Sequence, residues 1–168
     1  MSSKKSSAVL DVLSRVKRGL AGYVSYLAAC EMNQAFSEYV LYEPTLRILT
    51  ARKFVVQCEY ACPGLERTGA GDKKRIDFVA TAPWNATSSF ALEMKWAKQR
   101  TIDVTKDVEK LTLYRQANPD HAAFICVFGR RSFLEAIHVS PSDLSERGRP
   151  IYADLGRTKY GCRTFQVA

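Results

Sequence analysis

The chain has 168 residues, 46% of them hydrophobic and 25% charged, and a formal net charge of +8. That length supports one domain with a real core and excludes two comfortable ones. No apolar run is long enough to span a bilayer, and the opening MSSKKSSAVL has no signal-peptide core, so a cytoplasmic protein without a membrane partner is expected.

Residues 1–6 read as a disordered Ser/Lys tail. From Ser7 to Leu20, Val9, Leu10, Leu13, Val16 and Leu20 share one helical face, and Gly19 and Gly22 are expected to end or break the helix. Residues 1–22 then form a tail and an accessory helix, 23–130 the core and 131–168 a C-terminal extension of a single domain. A second helical region runs from about Tyr23 to Thr50, and Pro44 inside it predicts a kink or a junction near Glu43. FVVQCEY, Phe54 to Tyr60, is rich in β-branched and aromatic residues and reads as a strand. A Pro/Gly-rich loop follows over 61–73.

Two further strands are predicted over 74–80 and 89–97. On the first, Ile76, Phe78 and Ala80 alternate with Arg75, Asp77 and Val79; on the second, Phe90, Leu92, Met94 and Trp96 alternate with Ala91, Glu93, Lys95 and Ala97. Side chains switch faces at every residue of a strand. If the strands are neighbours, Asp77, Glu93 and Lys95 converge on one side of the sheet. A helix is predicted from about Asp103 to Ala117, with Val104, Val108, Leu111 and Tyr114 or Arg115 as its packing stripe, stopped by Asn118-Pro119-Asp120. Ala122 to Phe128, a near-continuous apolar run, reads as a strand buried on both faces. Arg130 to Ala136 reads as a short helix, and Ile151-Tyr152 and Arg163 to Val167 as edge strands. The five cysteines have no zinc spacing and read as thiols in a reducing cytosol.

Asp77 and the Glu93-Met94-Lys95 triplet, together with this order of elements, resemble the PD-(D/E)XK nuclease superfamily. The resemblance covers roughly residues 30–130. The proline usual before the aspartate is absent, and Ile76 stands there. A second acid-x-Lys triplet, Asp72-Lys73-Lys74, follows Gly69-Ala70-Gly71 and reads as loop. The fold implied is α/β: a restriction-endonuclease-like αβββαβ core with a central mixed sheet flanked by helices.

The activity implied is metal-dependent hydrolysis of phosphodiester bonds, most naturally in DNA. Asp77, Glu93 and the Met94 carbonyl would bind Mg²⁺, with Mn²⁺ expected to serve as well, and Glu38 would bind directly or through water. Glu43 is the other candidate for that helix acid, and Glu38 is preferred. A metal-bound water would attack phosphorus in line, with Lys95 orienting it and stabilising the charge that develops. Lys73, Lys74, Arg75, Lys98 and Arg100 flank these positions and would hold the substrate backbone. The excess of positive charge agrees with a polyanionic partner. The alternative is a non-catalytic protein of the same fold that binds nucleic acid or protein. Specificity is left to DNA structure, a homodimer or a protein partner.

Overall fold

The computed structural model describes residues 5–32, 36–65, 75–142 and 144–168, without the side chains of 5–7. The first segment of the tail, Lys73, Lys74 and the Asp72-Lys73-Lys74 triplet lie outside the described residues.

Helix α1 is one unbroken element, Lys5–Ala29, and runs through Gly19 and Gly22. The expected break is absent because packing overrides a propensity cost of about 1 kcal/mol per glycine. A Cβ on Gly19 would come within 2.6 Å of Ile48 Cδ1, so the glycine brings two helices close together. Val9, Val12, Leu13, Val16, Leu20 and Val24 form the buried stripe of α1 at helical spacing. Tyr23 to Ala29 therefore belong to this helix and not to a second one.

The next helical segment is shorter than expected. A 3₁₀ turn, Glu38–Leu41, leads straight into α2, Tyr42–Ala51. Pro44 sits in the first turn of α2, where its missing N–H would have had no helical acceptor, so no kink is needed.

The central sheet is mixed. Its path is β1 (Val55–Ala61), β2 (Arg75–Thr81), β3 (Phe90–Ala97), β5 (Ala122–Arg130), β9 (Tyr160–Gln166) and β7 (Ser145–Glu146), with β8 (Ile151–Ala153) also paired to β9. Only β3 and β5 run parallel in this sheet, joined through α3, Thr105–Ala117. A separate parallel pair is made by β4 (Thr101–Asp103) and β6 (His138–Ser140), three residues each and too short to show a period. The short helix α4 is Arg131–Leu134.

Helices cover both faces. Phe78, Phe90, Leu92, Met94, Phe124 and Phe128 pack with α1 and α2. On the other face Val79, Ala91, Ile125 and Val127 pack with Val104, Leu111 and Tyr114 beside α3 and with Leu134 of α4. Asp103 supports the start of α3, accepting from the Thr105 N–H and hydroxyl. No helix of the described residues is long and apolar enough to cross a membrane.

The C-terminal strand is a correction. β9 is an interior strand between β5 and β7/β8, not an edge. Tyr160, Cys162, Thr164 and Phe165 are buried, so the strand has no polar face and no alternation to read. Gly161 lets β8 approach: an added Cβ would stand 2.5 Å from Ile151 O and against the Tyr152 ring. Gly161→Ala is expected to destabilise the fold by about 1–3 kcal/mol through overpacking. A melting curve unchanged by the substitution would mean that β8 is not held there. Lys17 ties α1 to the same region: its ammonium, 3% exposed as a residue, donates to Arg149 O at 2.9 Å and Arg147 O at 3.2 Å.

Candidate active site

The site forms where β2 and β3 part. Their ladder pairs Ala80 with Phe90, Val79 with Ala91 and Phe78 with Leu92, and stops there. Asp77 is the next residue. Its Oδ2 accepts the Met94 N–H at 2.6 Å, giving that β3 donor a side-chain partner. Across β2, Glu59 of β1 has φ 52°, in the left-handed region. A non-glycine residue held there costs of order 1–3 kcal/mol, and such strain gathers at functional sites. The Tyr42 hydroxyl of α2 lies against both acids, 2.8 Å from Glu59 Oε1 and in a short contact with Asp77 Oδ1. Burial and these two carboxylates raise the Tyr42 pKa, so it remains a donor.

From the other face α3 brings Asp107 and Lys110, three residues apart on one side of the helix. Lys110 Nζ donates to Arg75 O at 2.9 Å and stands 3.3 Å from Asp107 Oδ1 and 2.6 Å from Glu93 Oε1. The last contact is a close, buried ion pair, and it makes Lys110 the partner of Glu93 Oε1. Lys95 Nζ lies 3.3 Å from Asp107 Oδ2.

These groups perturb one another. Burial and the Asp77 charge push the Glu93 carboxyl up to about 9, against the pull of Lys110. Burial also raises Asp77, opposed by the Tyr42 and Met94 hydrogen bonds and the two lysines. Burial alone would lower Lys95 and Lys110, but the surrounding carboxylates outweigh it and hold both above the ordinary lysine value.

Glu38, Asp77, Glu93 and Lys95 line one cavity of about 420 Å³, with Tyr42 and Lys110 in its walls. Glu38 opens the 3₁₀ turn, rather than sitting inside a regular helix, and its Oε1 accepts the Trp96 N–H at 3.1 Å. Glu43 is exposed and paired with Arg47 one turn on. If cleavage occurs here, Glu38→Gln is expected to slow it, since a neutral amide interacts more weakly with the Lys95 ammonium. Glu43→Gln should leave the rate within about twofold. Parallel rate measurements on the two variants decide this, and the reverse ranking would move the role to Glu43.

Of the flanking cations, Arg75 lines the cavity. Lys98 and Arg100 are exposed beyond the end of β3 and lie outside it. Met94 is fully buried, and its backbone N–H is the group that meets Asp77.

Among the described residues, no three His, Cys, Asp or Glu side chains group as a metal cluster. The Asp77–Glu93 pair nevertheless fits a hard cation. Both carboxyls are raised by burial, so a cation would relieve the cost of their charge, taking the place that Lys110 holds against Glu93 Oε1. Mg²⁺ is commonly held by one or two carboxylates and keeps several waters.

Tyr42, Glu59, Asp107 and Lys110 were not singled out in the sequence. One signal was present: Asp107 and Lys110 interrupt the stripe Val104, Leu111, Tyr114 at helical spacing, and a buried ion pair on a packed face marks a site. No protein-family model matches the chain, and no curated protein or solved structure matches it either.

Proposed function

We propose that the protein is a Mg²⁺-dependent nuclease, cutting phosphodiester bonds of DNA on a restriction-endonuclease-like core. The observation that carries this reading is the meeting of Asp77, Glu93 and Lys95 in one cavity at the point where β2 and β3 part. Over residues 38–130 the elements of the central sheet and its helices run helix, three strands, helix, strand, with the short β4 of the separate pair inserted before α3, and this order supports the αβββαβ core.

A bound Mg²⁺ or Mn²⁺ would polarise a phosphoryl oxygen and lower the pKa of a water. Asp77 and Glu93 would hold the cation, and Asp77 is oriented by Tyr42 and the Met94 N–H. Lys95 carries its proton at neutral pH, held there by Asp107, Glu38 and Glu93 despite its burial, and donates to the charge that develops on the phosphate. Glu38 fixes the β3 backbone at Trp96. Arg75, Lys98 and Arg100, with Lys73 and Lys74, meet the substrate backbone. The net charge of +8 supports a polyanionic substrate, and binding should weaken steeply with salt as counterions are released. Free thiols at Cys30, Cys58, Cys126 and Cys162 favour the reducing cytoplasm.

One observation favours a non-catalytic binder instead: Lys110 already neutralises Glu93 without a metal. Calorimetric titration with Mn²⁺ and Mg²⁺ separates the two. The nuclease binds metal and then cuts at least one member of a panel of linear, nicked, branched and single-stranded DNA and RNA. A protein that takes up no metal and cuts none of these is not a nuclease of this type.

A further inference from the structure

Beside the active-site cavity lies a second one of about 360 Å³, formed by Phe36, Trp96, Phe133 and Tyr160, with Lys98 and Arg130 among its lining residues. The two cavities share no lining residue, but one hydrogen bond links their linings. Glu38 lines the first, Trp96 lines the second, and the Glu38–Trp96 N hydrogen bond joins them. Phe36 and Trp96 are partly exposed, their ring centroids 5.2 Å apart and tilted by 46°, and both rest on the buried Tyr160. Phe36 and Trp96 pack against the core on one side and keep part of their surface open on the other. Arg130 also lines a third cavity with Arg157 and Lys159. Among the described residues Lys98, Arg130 and Arg157 pair with no carboxylate, whereas Lys159 pairs with Asp154. An aromatic floor ringed by unpaired cations, leading away from a phosphodiesterase site, matches the chemistry of an unstacked base followed by its phosphates.

We propose that the Phe36–Trp96–Tyr160 cavity is a subsite for an unpaired base, so that the preferred substrate is single-stranded or frayed nucleic acid whose backbone continues over Lys98, Arg130 and Arg157. The proposal rests on the nuclease reading and adds the substrate class. A base inside a duplex is stacked and cannot enter such a cavity, so an intact duplex gains only the phosphate contacts.

The chain has two tryptophans, Trp84 and Trp96. Trp84 is exposed in the β2–β3 turn, so Trp84→Phe leaves Trp96 as the sole reporter. Full-length Trp84→Phe protein is titrated, in excess chelator and low salt, with a twelve-nucleotide thymidine oligomer and with a blunt duplex of equal length. Tryptophan emission and the anisotropy of a dye on the oligomer are followed together. The expected result is saturable quenching of Trp96 by the single strand alone. Adding Phe36→Leu should weaken single-strand binding about tenfold and leave duplex binding unchanged. Binding of both forms without any change in Trp96 emission overturns the subsite and leaves the nuclease reading standing. Failure of both forms to bind at all overturns both readings. The emission measurement needs no change inside the cavity, so it decides the matter even if Phe36→Leu unfolds.

Discussion

Lys95→Ala is expected to slow single-turnover cleavage by about a hundredfold to a thousandfold while leaving metal binding intact. The size is that commonly seen when one aligned transition-state donor is removed. Lys95 reaches the cavity from β3 and is 26% exposed at its side chain, with Asp107 at 3.3 Å as its ion-pair partner. The buried Asp107 keeps Lys110 as a partner when Lys95 is lost, so the variant should still fold. Asp77 and Glu93 behave differently: Asp77→Asn or Glu93→Gln is expected to reduce metal affinity and cleavage together. Single-turnover rates beside metal titrations and melting curves separate the two classes. A folded Lys95→Ala protein that cuts at the parent rate would reduce Lys95 to a structural charge.

Lys110→Ala should have the largest effect on the stability of the metal-free protein. Removing one partner of a buried ion pair costs about 3–5 kcal/mol, because the other charge is left unpaired. Here the loss should depend on pH, and its sign follows from Glu93. Its folded pKa, about 9, is raised above the ordinary value of 4.5. The stabilisation that accompanies a raised pKa is present below the unfolded value and fades as pH climbs through the folded one. Between those limits the fold keeps Glu93 protonated while the unfolded chain releases the proton, so stability falls; from about pH 9 the carboxylate ionises, and Lys110 is what offsets its charge. Denaturant unfolding should show a larger loss near pH 9 than near pH 6. The double variant Lys110→Ala, Glu93→Gln should recover the pH-dependent part. An equal loss at both pH values would assign Lys110 to packing and to its bond with Arg75 O alone.

The three site residues on strands were readable because a strand's period is two and the surrounding residues are strongly apolar. Phe78, Phe90, Leu92 and Met94 fixed the buried face, and Asp77, Glu93 and Lys95 had to lie off it. What the alternation could not reveal is that β2 and β3 part after Phe78, since that depends on Glu59 and Tyr42 in other elements. Asp107 and Lys110 were hidden for a different reason. Charged residues on a helix are usually solvated, and only the three-dimensional pairing with Glu93 and Lys95 makes burial tolerable. Gly19 and Gly22 misled in the same sense, since each carries a local signal that the packing of α1 overrides, whereas Pro44 marked the junction between the 3₁₀ turn and α2. The strand β9 was obscured because both its faces are covered.

The bonds from Lys17 to the carbonyls of residues 147 and 149 span 130 and 132 positions of the chain. At a synthesis rate of roughly 5–20 residues per second, helix α1 is made on the order of ten seconds before these acceptors exist. Much of what its apolar stripe packs against, Phe128, Tyr160 and Cys162 among it, is equally late. During translation the apolar stripe of the helix thus waits without its partners, and the core over that face closes only once β9 has been made.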